Sequence, residues 1–410
     1  FIKGIGENLS PFNFFFYITT MKNIYLVLFF VISFLSFGQV NTGYSLVDAK
    51  MAVIPASSTT STDAIAKYIN SNFKTETDKI RAVFYWTASN ISYDVANMFA
   101  VNFNETVQEQ IARTLKTKKG VCIHYAVVFN ELSQKTGIQS YIIDGYTKQN
   151  GKVGDLAHAW TAAKIDKKWY LFDPTWGSGY VNNGRFSKKI NNYYFKADPT
   201  KIIASHIPFD YLWQFSNYPI TNGEFYEGKI QINKNKKYFD FEKEIAKYNA
   251  LSEADQLFAS AERIEKNGLK NAMILERYEG KKQQLTYLRQ NTNIEKLNAI
   301  VNEMNEAVVL LNDFIHYRNN KFKPAFSDDE ISSMIEIPRA KLVKCQNDIY
   351  SVGAVGNKNA SNVASIKSSI GAALAQADEH SLFVKKYLSA SKIVRKTMFS
   401  KVSWFGAPLN

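Results

Sequence analysis

The sequence predicts an α+β domain followed by an all-α region, and three observations carry that expectation. From Val40 to about Asn235, short strand-like and helix-like patterns alternate and hold most of the Trp and Pro residues. From Phe239 to Ser400 the apolar residues recur at helical spacing, with prolines only at Pro324 and Pro338. A length of 410 residues with 46% hydrophobic content is enough for two cores. The expected domains are therefore 40–235 and 236–410.

The N-terminus reads as a targeting segment. Met21-Lys22-Asn23 precedes the apolar run Ile24 to Phe37, with Ser36 and Gly38 as small residues before Gln39. That is the form of a secretory signal peptide over residues 21–38, cleaved after Gly38, with residues 1–20 as read-through upstream of the true start. The apolar run is shorter than the roughly 20 residues a spanning helix needs, so no stable membrane span is expected after cleavage. With no cysteine following the run, a lipid anchor at that point is not expected. The expected location is outside the cytoplasm, in the periplasm or the medium.

Formal charge is +13, from 50 Lys+Arg against 37 Asp+Glu. The basic residues are scattered in pairs such as Lys118-Lys119 and Lys281-Lys282, without the basic stripe interleaved with aromatics that nucleic acid requires. Nucleic acid is accordingly excluded as a partner. The only cysteines are Cys122 and Cys345; one bridge would add little to so large a domain, and a free thiol is expected at Cys122.

In the first domain, Gly120 punctuates the chain, and Cys122, Tyr125, Ala126, Phe129 and Leu132 then recur at helical spacing until Gly137. Cys122 thus falls at a helix N-terminus. Unpaired backbone N–H groups and the positive dipole end there favour a thiolate and offer a donor to a developing oxyanion. Downstream, Gln139 to Asp144, His158 to Lys164 and Lys168 to Asp173 read as strands, with Asp166-Lys167 as a tight turn. A two-residue loop sets Ile165 opposite Lys168 and, in the same register, His158 opposite Thr175. Asp173 then shares the face of His158 and lies diagonal to it. An acid in that place holds an imidazole in one tautomer, so that its other nitrogen can take the proton of Cys122.

In the second region, Thr292-Asn293-Ile294-Glu295 and Ser327-Asp328-Asp329-Glu330 both have the form of a capping box and mark helix starts. Ile294, Leu297, Val301, Met304, Val308, Leu311 and Ile315 form a stripe, widened by Ile300, Ala307 and Phe314, that suits a bundle. Oligomerisation through this helix stays open. Gly353, Gly356 and the stretch to Ser365 read as a connection between helices.

Three strings carry a family resemblance: Gly120-Val121-Cys122-Ile123-His124-Tyr125-Ala126, His158-Ala159-Trp160, and Asp173-Pro174-Thr175-Trp176-Gly177. In that order they resemble the motif blocks of the transglutaminase-like superfamily, and the likeness extends over residues 60–225. Tyr85-Trp86 through Asp94 resembles the helix and turn before the nucleophile. What the resemblance implies is a papain-like core, in which a helix bearing Cys packs on an antiparallel sheet bearing His and Asp. It also implies thiol-dependent acyl transfer on a peptide-type amide by Cys122, His158 and Asp173.

Hydrolysis by a peptidase or deamidase is the favoured form, since water is always at hand. Protein cross-linking and an inactive binding module are the alternatives. The expected substrate is a protein or peptide, cell-wall peptide included. Trp86 and Tyr93 are the candidates for a side-chain oxyanion donor, and Trp160 and Trp176 for the cleft wall. No cofactor or metal is expected. His124 is two residues from Cys122, so the two side chains point about 200° apart and cannot readily share an ion. His206, His316 and His380 have no evident partners in the sequence.

Overall fold

The computed structural model describes residues 43–100 and 105–399, so the targeting segment at 21–38 and residues 1–20 lie outside the described residues. The chain divides into two compact units, Phe1–Phe241 and Glu242–Asn410.

Among the described residues, the first unit opens with three helices, α1 (Ser45–Ala52), α2 (Thr62–Asn72) and α3 (Glu76–Asn90). Ser61 and Thr75 start α2 and α3, each accepting a backbone N–H three residues on. α3 buries residues on nearly every side, including Ile80, Val83, Phe84 and Trp86, as a central core helix must. A two-residue strand β1 (Ser92–Tyr93) follows, then α4 (Val107–Thr117), β2 (Lys119–Gly120) and α5 (Cys122–Lys135). β1 and β2 pair in parallel, setting Tyr93 beside Gly120.

The main sheet comprises β3 (Ser140–Gln149), β4 (Lys152–Ile165), β5 (Lys168–Phe172) and β8 (His206–Pro208), antiparallel in the order β5-β4-β3-β8. α5 packs on β3 and β4. Its Tyr125, Phe129 and Leu132 share one core with Ala163, Ile165 and Phe172 of the sheet. This is the helix-on-sheet arrangement that the resemblance implies. β3 and β4 run further than their apolar residues indicate, because Asn150-Gly151 supplies a left-handed turn, φ 49° and 78°. The added stretch, with Lys148, Gln149, Lys152 and Asp155, is too polar to read as strand from sequence.

After β5 come α6 (Pro174–Ser178), the hairpin β6 (Gly179–Asn182) and β7 (Arg185–Lys188), α7 (Pro199–Ile202), β8 and α8 (Asn222–Glu227). Arg81 of α3 ties this segment to the N-terminus. Its guanidinium is buried, bonds both oxygens of Asp48 at 2.7 and 2.6 Å, and donates to Asn192 Oδ1 at 2.8 Å. The rings of Tyr44, Phe84 and Phe195 surround it at 5.0, 5.6 and 4.8 Å.

The second unit is helical: α9 (Phe241–Ala250), α10 (Glu253–Lys266), α11 (Ala272–Asn319), α12 (Asp328–Asp348), α13 (Asn357–Ser389) and α14 (Lys392–Thr397). Ser327 and Glu330 form the expected capping box at the start of α12. Thr292 does not start a helix. It lies inside the 48-residue α11, and its hydroxyl bonds back to the Leu288 carbonyl instead. The buried line of α11 runs through Leu297, Ile300, Ala307, Leu311 and Phe314, so the residues expected to widen the stripe form part of its centre. The connection expected to reach Ser365 ends at Gly356, because Val363 and Ile366 continue the helical spacing of Ile370 and pack with it.

Removing one partner of a buried ion pair costs about 3–5 kcal/mol. Asp48 keeps a fifth of its side chain exposed. Arg81→Met is therefore expected at the lower end, about 3 kcal/mol less stable by urea unfolding. A loss below about 1 kcal/mol would show that the pair does not anchor the first unit.

Candidate active site

Cys122 is the first residue of α5 and is half-buried with a free thiol. The helix starts there because Val121 is extended and its carbonyl accepts from His124 and Tyr125 N–H. Val121 N–H donates to Nδ1 of the buried His124 at 3.0 Å, a histidine version of the capping box. Gly120 permits this fold-back, since a Cβ there would lie 2.5 Å from His124 Cβ. His124 therefore serves the helix start, with the Arg113 guanidinium 2.7 Å from its Nε2.

His158 sits on β4 opposite Gly145 of β3. The turn Asp166-Lys167 is left-handed at both residues, and the ladder runs from Ile165 opposite Lys168 to Thr161 opposite Phe172. It stops there. Thr175 does not reach a ladder position opposite His158, because Asp173 turns the chain into α6 as its N-cap. Asp173 Oδ1 accepts from Thr175 and Trp176 N–H at 2.9 and 3.1 Å. Its Oδ2 accepts from His158 Nε2 at 2.8 Å. A carboxylate only accepts, so Nε2 carries the proton and Nδ1 is left for the thiol.

A residue that sequence reasoning passed over completes the cluster. His206, the first residue of β8, is fully buried and donates from Nε2 to Asp173 Oδ2 at 3.2 Å, while its Nδ1 lies 2.8 Å from Ser205 Oγ. Asp173 thus bonds four partners through two oxygens. Gly145 makes room for β8, as a Cβ would meet the Ile207 carbonyl at 2.2 Å and the Trp160 ring at 2.6 Å. His206 stands 33 residues from Asp173, and only the crossover of β8 onto β3 joins them, so no spacing in the sequence marks it. His158, Asp173 and His206 are metal-ligating types whose donor atoms lie within 4.8 Å. Their separations match complementary hydrogen bonds, which an ion at about 2.0–2.2 Å from each ligand would have to break.

Burial works against charge on four groups here, and neighbours reverse it for three of them. Burial raises the Cys122 thiol, but hydrogen bonding to His158, its positive charge and the Ala159 backbone N–H outweigh that and hold it below its ordinary value. Burial lowers His158, yet the Asp173 charge and hydrogen bond lift it to about 10. Asp173 is held well below the carboxylate range by His158 and then His206, against burial. His206 itself is lowered by burial, in spite of Asp173. The arrangement favours thiolate, imidazolium and carboxylate in line, with a neutral imidazole behind the acid.

Of the remaining candidates, Tyr93 lines the cleft beside His158 and is half-buried. Burial, then the charges of Cys122 and Asp173, push its hydroxyl up to about 12, so it stays a donor. Trp176 also lines the cleft, 5.5 Å from the His158 ring. Trp160 is buried and does not line it. It stacks on His158 at 6.0 Å and meets His206 edge-on at 5.2 Å. Trp86 is a core residue outside the cleft lining, with the Lys118 ammonium 4.9 Å above its ring. A tryptophan on a helix buried on nearly every side is placed by packing, and its indole Nε1–H is buried without a hydrogen-bond partner among the described residues. His380 lies against Phe314 in the second unit and His316 is exposed there.

Residues 63–174 match the transglutaminase-like superfamily. Human kyphoscoliosis peptidase is 31% identical over 159 residues, covering 37% of this chain and 24% of that protein. The chain spans about a quarter of the length of the curated relatives it matches. Two solved structures are similar. A TGase shares 19% identity over 42% of this chain and 43% of that one, with a TM-score of 0.23. A candidate cysteine protease from Cytophaga hutchinsonii shares 20% identity over 34% and 44%, with a TM-score of 0.23.

An ordinary thiol with a pKa near 8.5 keeps roughly one part in three hundred as thiolate at pH 6. With its thiol lowered, Cys122 is expected to react with iodoacetamide at pH 6 at least tenfold faster than glutathione does. Asp173→Asn is expected to move the midpoint of that pH profile upward, because the imidazolium loses its counter-charge. A profile of ordinary thiol shape in the wild type would contradict the ion pair.

Proposed function

We propose, from a chain whose residues 63–174 form a domain of the transglutaminase-like superfamily, that it catalyses thiol-dependent hydrolysis of a peptide-type amide. Cys122, His158 and Asp173 are its catalytic residues. The superfamily consists largely of cysteine-dependent enzymes, and the observation that carries the finer reading is the buried 2.8 Å bond between His158 Nε2 and Asp173 Oδ2. It leaves Nδ1 toward a thiol already lowered by that imidazole.

In the proposed cycle, the Cys122 thiolate attacks the amide carbon while the proton taken from sulfur rests on His158. The tetrahedral oxyanion is met by the N–H groups at the start of α5 and by the Tyr93 hydroxyl. His158 passes its proton to the departing nitrogen as the C–N bond breaks, leaving a thioester and a free amine. Water then attacks the thioester, giving its proton to His158, and the carboxylic acid departs as the thiol is restored. Asp173 holds the ring throughout without taking the proton.

The proposed setting is outside the cytoplasm, on the strength of residues 21–38 alone. No helix among the described residues is long and apolar enough to cross a membrane. The proposed substrate is a protein or peptide, with cell-wall peptide the choice this setting suggests.

The reaction is read by mass spectrometry of a proteome incubated with the wild type and with Cys122→Ala. Gain of water across peptide bonds, or conversion of Gln to Glu, with the wild type only is the expected outcome. Gln-Lys bridges would replace hydrolysis by cross-linking, and identical spectra for the two proteins would contradict an enzyme.

A further inference from the structure

Beside His158 opens a cleft of about 830 Å³, and the chemistry of its walls differs from that of the reacting groups. Leu156, Tyr180 and Val181 are 45, 56 and 47% exposed, large apolar side chains left in water in the same cleft as the histidine. Met98, Phe186 and Ile190 continue that surface, and Trp176 and Tyr194 supply aromatic faces. Apolar side chains gathered in one concave site are the mark of a binding surface.

Charge narrows the occupant. Among the described residues, no Asp or Glu lines the cleft, and Lys189 is its one charged side chain apart from His158. Lys189 is exposed and forms no ion pair among the described residues. A lysine ammonium entering here would find no carboxylate and would meet a like charge. Gln149, Thr175 and Asn191 also line the cleft and could bond a glutamine amide, but a glutamine has less apolar surface to bury against Leu156, Val181 and Phe186 than an aromatic or branched aliphatic side chain has. An aromatic or branched aliphatic side chain is the group whose burial these walls favour.

Resting on the reading of Cys122, His158 and Asp173 as an amide-hydrolysing site, we propose that the substrate is a peptide bearing a large apolar side chain next to the scissile amide. A lysine amine is selected against as acyl acceptor. The β6–β7 hairpin lines the cleft through Tyr180, Val181 and Phe186, and β4 lines it through Leu156. The selection thus comes from two separate segments of chain.

The test uses peptidyl vinyl sulfones that trap the thiolate, carrying Phe, Leu, Gln or Lys at the two residues nearest the reactive group, varied one position at a time. Each inactivation rate is divided by the iodoacetamide rate of the same protein, which removes differences in thiolate reactivity. At one of the two positions, the Phe and Leu probes are expected to react at least tenfold faster than the Gln probe, with the Lys probe slowest. Leu156→Asp and Val181→Asp, made separately, should each reduce the Phe preference several-fold. Lys189→Glu should raise the Lys probe a few-fold. Gln or Lys probes as fast as Phe, with iodoacetamide reactivity high at pH 6, would overturn the specificity and leave the catalytic reading in place. Slow iodoacetamide reaction in the wild type would overturn the catalytic reading, and this inference with it.

Discussion

The bond from His158 to Asp173 is the constraint around which the rest of the first unit is arranged. Two buried ionisable groups tolerate each other only when every lone pair and proton has a partner. Asp173 meets that demand by doing two tasks at once. Oδ1 caps α6 through two backbone N–H groups, and Oδ2 accepts from His158 and His206. The cap fixes the carboxylate in space, and a fixed carboxylate fixes the imidazole. A left-handed two-residue turn between β4 and β5 then brings the two residues onto one side of the sheet. A loop one residue longer without a bulge would send them to opposite faces.

The electrostatics follow from that geometry and carry a sign. His158 has a folded-state value near 10, above its unfolded value near 6.5. Its pairing therefore contributes stability that is fully present below about pH 6.5 and is lost as pH rises through about 10. Asp173 is depressed, so its contribution is present above about pH 3.9 and is lost only in stronger acid. Between those limits the imidazolium and carboxylate stay charged in a site that burial would otherwise neutralise, and their pairing favours the thiolate beside them. Tyr93 and Tyr194, pushed up to about 12, remain neutral donors beside them.

Much of this was legible in the sequence, because the informative features are local. Gly120 before a helical spacing marks the helix that starts at Cys122, and Asp166-Lys167 between two apolar runs marks the hairpin and its register. What escaped is what the chain joins at long range or by polar contact. His206 reaches Asp173 only through β8 crossing onto β3, and Gly145, just past the strand expected to end at Asp144, makes room for that close approach. The outer half of the β3–β4 hairpin lacks the apolar alternation that signals strand. Thr292 misled for the opposite reason, since its local pattern fits a helix start while packing along α11 carries the helix through. Trp86 shares a motif-like neighbourhood with Tyr93, but the burial of α3 places it in the core and leaves only Tyr93 in the cleft.

The central claim is a histidine that is already positively charged when its cysteine is free, and nitrogen-15 NMR of the His158 ring reads that charge directly. The account predicts an imidazolium spectrum at pH 7.5 that gives way to a neutral ring near pH 10, and a midpoint shifted downward in Asp173→Asn, which removes the charge and hydrogen bond that lift the ring. A ring that titrates near 6.5 in the unmodified protein, like a histidine without partners, would contradict it.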